Sequence, residues 1–312
     1  MAFGGGNRLA WRDLPTTVQA LIEERLGSPV VASTSAAGGF TPGLASRVVT
    51  ADGASTFVKA ISAMQTPDGP RFYRREIAVA SALPVSAPAP RLLWSHDTGD
   101  WVILAFEYVE GRNPDPRVQA ELDAVLHALE DLARALSPSP IAAPRLVDEH
   151  RQDFSGWRGL VRTGSPDLAS FGAEVDKALP QLAALEADWE SAADGDALLH
   201  GDVRVDNMLI TPEGRLVFVD WPHACLGSAW VDLVLALPSL AMAGVDPQEV
   251  VRSHPLTRDV DPRALDRVVV AVAGMFVSSS LLPPPPGLPT VRDFQRHQGS
   301  ACLQWLRRRG VL

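Results

Sequence analysis

The apolar periodicity of this 312-residue chain changes once along its length, and that change bounds the fold. Up to about residue 110, the runs VVASTSAAGG, SRVVTADG, STFVKAI, RLLWSHD and DWVILAFEYVEG read as short strands bounded by turn residues. Ala51-Asp52-Gly53 predicts one tight turn among them, and the stretch from Asp97 to Asp100 another. Two helical patterns interrupt the strands. The first places Val18, Leu21, Ile22 and Leu26 on one face before Gly27, and the second places Phe72, Ile77, Ala80 and Leu83 in helical period. Beyond Gly111-Arg112-Asn113-Pro114 the pattern becomes helical, as in AELDAVLHALEDLARAL and DPRALDRVVVAVAGMFVSSSLL. Residues 137–165 read as loop-rich, and 167–190 as helix broken near Pro180. One hairpin, NMLI-TPEG-RLVFVD, returns within the helical half. The expectation is an α+β, two-lobed chain. Residues 1–110 form an N-terminal lobe on a small antiparallel sheet, residues 111–312 form a mainly helical lobe, and a cleft lies between them.

Composition narrows the function classes. The net charge is −9 and the only basic run is Arg307-Arg308-Arg309, which argues against a nucleic-acid partner. The longest apolar stretch, Val268 to Leu282, contains three serines and falls short of the roughly 20 residues that span a bilayer, so no membrane partner is expected. Two cysteines and an N-terminus without a signal-peptide pattern make a cytoplasmic location the expectation. Lysine is scarce: Lys59 and Lys177 stand alone among 28 basic residues. A position that keeps lysine in such a chain is a candidate for a compact ammonium rather than a planar fork.

The stretch LLHGDVRVDNMLI places His200, Asp202, Arg204, Asp206 and Asn207 between apolar runs. Buried polar groups must find partners, so the cluster is either a turn capped by Asp and Asn or a site. Asp220 ends the next strand, LVFVD, and a hairpin would return it to Asn207. One carboxylate and one amide oxygen suit Mg²⁺ held together with waters and substrate phosphates. Asp202 is then free to orient and deprotonate a hydroxyl, which is the layout phosphoryl transfer needs.

HGDVRVDN followed by VDWPHACLGSAWVDL resembles the catalytic and metal-binding segments of the aminoglycoside phosphotransferase family, small-molecule kinases with the protein-kinase-like fold. The resemblance implies that Asp202 is the catalytic base, that Asn207 and Asp220 bind Mg²⁺, and that Asp232 braces the loop. It makes His200 a structural residue and gives Arg204 no role. Lys59 ends the strand TFVKA and Glu76 lies 17 residues on in the following helix, matching the lysine–glutamate pair that holds nucleotide phosphates in kinase-like folds. The glycine-bearing turn AAGGFTPGLASRVV offers Gly38, Gly39, Gly43 and Ser46 as phosphate contacts, although it is neither G-x-G-x-x-G nor a Walker A loop. ILAFEYVEG resembles the family's hinge, which implies adenine bonding to the Glu107 carbonyl and the Val109 amide, with Phe106 behind.

The expected activity is therefore transfer of the γ-phosphate of ATP, or GTP, to a hydroxyl of a small molecule such as an aminoglycoside or amino sugar. Residues 112–199 hold 16 Asp and Glu against 8 Arg and Lys, an excess that favours a cationic acceptor. Two other readings compete. A metal-dependent phosphoesterase would use G-D-x-x-x-D-N with Asp148-x-His150, but needs several converging histidines. A catalytically silent, kinase-shaped nucleotide-binding module would keep the fold without the turnover.

Overall fold

Side-chain alternation sets up the N-terminal sheet. The computed structural model describes residues 8–36, 38–39, 41–164, 167–285 and 288–312. Helix α1 (Thr16–Leu26) precedes β1 (Val30–Ser35), β2 (Leu44–Thr50) and β3 (Ser55–Ser62); α2 (Gly69–Ala82) then leads to β4 (Leu92–Asp97) and β5 (Trp101–Glu107). The five strands pair antiparallel in the order β1-β2-β3-β5-β4. Leu44, Val48, Val58, Ala60, Ile103 and Ala105 point to one face and bury Val18 and Ile22 of α1 together with Leu14 just before it. Ile61, Val102, Leu104 and Phe106 point to the other, where Tyr73 of α2 joins them. Lys59 sits between Phe57 and Ile61 in β3, so the alternation turns it toward α2 rather than α1.

The remainder is helical, with four three-residue strands: α3 (Gln119–Ala135), α4 (Leu146–His150), α5 (Gly156–Thr163), α6 (Ala173–Glu186), α7 (Trp189–Ala193), β6 (Ala197–Leu199), β7 (Met208–Ile210), β8 (Leu216–Phe218), β9 (Cys225–Gly227), α8 (Val231–Ala241), α9 (Pro247–Ser253), α10 (Pro262–Ser280) and α11 (Val291–Arg308). Helix α10 is the centre of this lobe. Its run Val268–Ala273 is buried and packs against α5, α6, α7, α8 and α11, so the longest apolar stretch is core. No helix among the described residues is long and apolar enough to cross a membrane.

Three expectations change. Residues 137–165 are not simply loop, because they contain α4 and α5, whose short apolar faces place Leu146, Trp157 and Leu160 in the core. Helix α6 runs through Pro180 and breaks instead after Glu186. Pro180 lies on the exposed face, where water can satisfy the carbonyl that loses its amide partner. The ladder between β6 and β9 left no sequence signal, since three residues are too few to show alternation.

Candidate active site

The loop after β6 is held from several directions. Strand β6 aligns Leu199 with Cys225 of β9, and the chain then turns at Gly201, whose φ is 79°. A Cβ at Gly201 would collide with the His223 carbonyl oxygen, so this turn requires glycine. Asp232, at the start of α8, accepts the backbone N–H of His200 at 2.7 Å and of Gly201 at 3.0 Å. It is the brace the resemblance implied. His200 is fully buried. Its Nδ1 accepts the Asp202 amide at 3.3 Å, which leaves Nε2 to donate to the Val219 carbonyl at 3.0 Å. One ring thus links the loop to the residue before Asp220.

Asp202 is oriented by its neighbours. Arg204 Nη1 donates to both of its carboxylate oxygens, at 2.7 and 2.8 Å, and Asn207 Nδ2 donates to Oδ2 at 3.0 Å. The same guanidinium holds Asp206 through Nε and Nη2, at 2.9 and 3.0 Å. Burial alone would disfavour the charge on Arg204, but Asp202 and Asp206 outweigh it and hold the guanidinium cationic. Only the i, i+2 spacing of acid, base and acid marks this clamp in the sequence.

Lys59 joins the two lobes. Its Nζ donates to Glu76 Oε2 at 2.5 Å and to Asp220 Oδ1 at 2.9 Å, with only 10% of its side chain exposed. Burial works against the ammonium, yet the Asp220 and Glu76 carboxylates raise its pKa above the ordinary lysine value. For Asp220, burial would favour the neutral acid, and the Lys59 ammonium overrides it and holds the carboxylate ionised. Asp220 is the one non-glycine residue with positive φ, 71°, among the described residues. A short polar side chain tolerates that left-handed conformation, which β-branched residues avoid.

A cleft of about 410 Å³ brings most of the expected residues together: Lys59, Glu76, Phe106, Glu107, Val109, Asn207 and Asp220 all line it. Asp202 does not line it, but is bonded to Asn207 and, through Arg204, to Asp206, and both of those do. The structure does not bring Gly43 and Ser46 into this cleft. Ser46 shares the parity of Leu44 and Val48, so it faces α1 and contacts Ser35 Oγ at 3.3 Å, while Gly43 is packed against the Ala60 carbonyl. Their neighbours Ala45 and Arg47 face the cleft instead, as do Gly38 and Gly39. Two residues of this glycine-bearing turn, 37 and 40, lie outside the described residues. Sequence reasoning also passed over Arg8, and over Asn113, whose amide donates to the carbonyls of Val205, Asp206 and Met208 and ties the inter-lobe linker to the loop after β6.

The phosphoesterase reading fares less well. Its His150 lies beside Asp153 at 3.2 Å and stacks on Phe154. Among the described residues no three His, Cys, Asp or Glu side chains converge as a dinuclear site requires.

Residues 38–268 match the model of the phosphotransferase enzyme family. A choline kinase, LicA, from Streptococcus pneumoniae superposes with a TM-score of 0.63 at 15% identity, over 94% of this chain and 99% of that one. A choline/ethanolamine kinase family protein from Mesorhizobium loti gives 0.62 at 15% identity, over 95% and 97%. A thermostable mutant of aminoglycoside phosphotransferase APH(4)-Ia, in ternary complex with ADP and hygromycin B, gives 0.61 at 16% identity, over 93% and 98%. A sequence comparison with curated proteins returns no match. The structural likeness carries the kinase-like fold, the family model carries the chemistry, and the chain belongs to the phosphotransferase enzyme family as a small-molecule kinase.

Proposed function

We propose that the protein transfers the γ-phosphate of ATP, taken up with Mg²⁺, to a hydroxyl of a small molecule. The observation that carries this reading is the meeting of Lys59 and Asp220, 161 residues apart, at 2.9 Å in the cleft. Lys59 is the cation for the donor's phosphates, and Glu76 fixes where it stands. Ala45, Phe57, Leu209 and Val219 give the cleft apolar walls for a purine, beside the hinge at Glu107 and Val109. GTP is the competing donor, since the hinge would meet either purine with backbone groups.

The donor set fits a hard cation. Asn207 commits its Nδ2 to the backbone and side chain of Asp202, which leaves the amide oxygen as its other polar atom, and Asp220 is ionised with its side chain 37% exposed. These two residues would hold Mg²⁺, which when bound neutralises charge on the phosphate oxygens. Asp202 then takes the proton of the acceptor hydroxyl as that oxygen attacks phosphorus. Arg204 and Asn207 keep its carboxylate in one orientation while it does so.

For the acceptor we favour a hydroxyl-bearing amine or amino sugar. Hygromycin B in the APH(4)-Ia complex and choline in the kinase names are compounds of this class. The acidic excess of residues 112–199 is partly neutralised within the fold. Arginines from outside the segment, Arg75, Arg267 and Arg307, pair with Glu149, Asp188 and Glu174. Calorimetry with ATP tests the donor half: wild type should bind it more tightly with Mg²⁺, and Asp220→Ala should lose that dependence. An equal metal effect in both proteins would remove Asp220 from the site.

A further inference from the structure

Arg8 is an arginine in the nucleotide cleft that neither the catalytic loop nor the lysine pair accounts for. It precedes α1, far in sequence from the other charged groups, yet lines the same cleft as Lys59, Glu76 and Asp220. Its Nη2 donates to the Gly38 carbonyl and its Nη1 reaches the Ala45 carbonyl at 3.4 Å. Both partners are neutral backbone oxygens, Gly38 in the turn between β1 and β2 and Ala45 in the first residues of β2. Gly39, at φ 88°, lies directly beneath the guanidinium, where any Cβ would collide with Nη2.

Burying a cation against neutral groups costs free energy that a carboxylate would normally offset. Two well-buried arginines of this chain are matched that way: Arg204 to Asp202 and Asp206, and Arg309 to Asp266. Arg8 has no such carboxylate partner among the described residues; burial lowers its pKa, and Asp220 acts on it only as a more distant charge. A guanidinium has five N–H donors, and the two carbonyls use two of them. The others have no partner among the described residues and can serve a ligand that brings negative charge and several oxygens into the cleft.

We infer that Arg8 is a phosphate-binding residue, a second cation beside Lys59 that pins the β1–β2 turn and gives its remaining donors to the oligophosphate of the nucleotide. This rests on the proposed nucleotide donor. It explains how a chain with a single lysine in the cleft, and without a Walker A loop, meets a highly charged tail.

The test compares Mg·ATP and adenosine binding by calorimetry in the full-length wild type, Arg8→Met and Arg8→Lys. Adenosine lacks phosphates, so its affinity reports the cleft and the fold. Arg8→Met should weaken ATP roughly 10- to 100-fold, the usual scale for losing charge-assisted bonds, and leave adenosine unchanged. Arg8→Lys, which keeps the charge on a similar stem, should recover part of the difference. Equal losses for ATP and adenosine would make Arg8 a structural strap and overturn the inference while the nucleotide reading stands. An ATP affinity in Arg8→Met equal to or tighter than wild type would also overturn it. Wild type that binds neither compound would overturn both readings together.

Discussion

Arg204 places one guanidinium nitrogen on both carboxylate oxygens of Asp202, at 2.7 and 2.8 Å, while the rest of the fork grips Asp206. The carboxylate assigned as base is therefore held by a cation two residues away, with only 15% of that arginine's side chain exposed. Arg204→Met should leave two neighbouring carboxylates without their shared counter-ion. Stability should fall by about 1 to 3 kcal/mol in urea unfolding. Turnover should fall further than the folded fraction explains, with KM for the nucleotide little changed, because the arginine acts through Asp202. A loss confined to stability would make the clamp purely structural.

Lys59 should not tolerate arginine. Its Nζ meets Glu76 and Asp220 at 2.5 and 2.9 Å, and the Tyr73 ring lies 5.1 Å away. A guanidinium is larger and fans its donors, so it overfills this position and cannot occupy the same point. Lys59→Arg should lower ATP affinity by about tenfold or more, measured directly by calorimetry. Wild-type affinity would show that the ammonium's position does not matter.

Burial lowers the His223 pKa despite the nearby Asp202 and Asp220 carboxylates, so the folded chain takes up this proton less readily than the unfolded chain. The unfolded chain takes up the proton as pH falls through about 6.5. The unfolded state then binds more protons, so the contribution is complete above that pH and is lost below it. Buried Glu76, Asp232 and Glu186, whose pKa values are raised by burial, act in the opposite sense, so the informative quantity is a difference. Between pH values of about 7.5 and 5.5, wild type should lose more stability than His223→Gln. Parallel curves would mean that His223 takes up its proton as readily in the fold as in the unfolded chain.

Much of this was legible because long elements repeat their pattern. The strands of the N-terminal sheet, α1, α2 and α10 follow from apolar spacing, and Lys59, Glu76, Asn207 and Asp220 follow from motif spacing. What escaped was short or depended on parity. Ser46 looked suitable for phosphate, yet one step of alternation turns it to α1 and gives the cleft Ala45 and Arg47. Helix α5 spans eight residues among Gly, Ser and Thr, too few for its face to stand out from loop composition. Arg8 and Asn113 act through backbone carbonyls, and no side-chain pattern marks such contacts.

The most direct measurement is phosphorus NMR of ATP, Mg²⁺ and a panel of hydroxyl-bearing amines, neutral polyols and sugar phosphates, with wild type and Asp202→Asn side by side. Wild type should form ADP and a new phosphomonoester together, only when an acceptor is present. Asp202→Asn should bind nucleotide normally yet form the ester roughly 100- to 10,000-fold more slowly, the scale for losing a positioned base. Ester hydrolysis without nucleotide, or transfer at the wild-type rate by Asp202→Asn, would contradict the account.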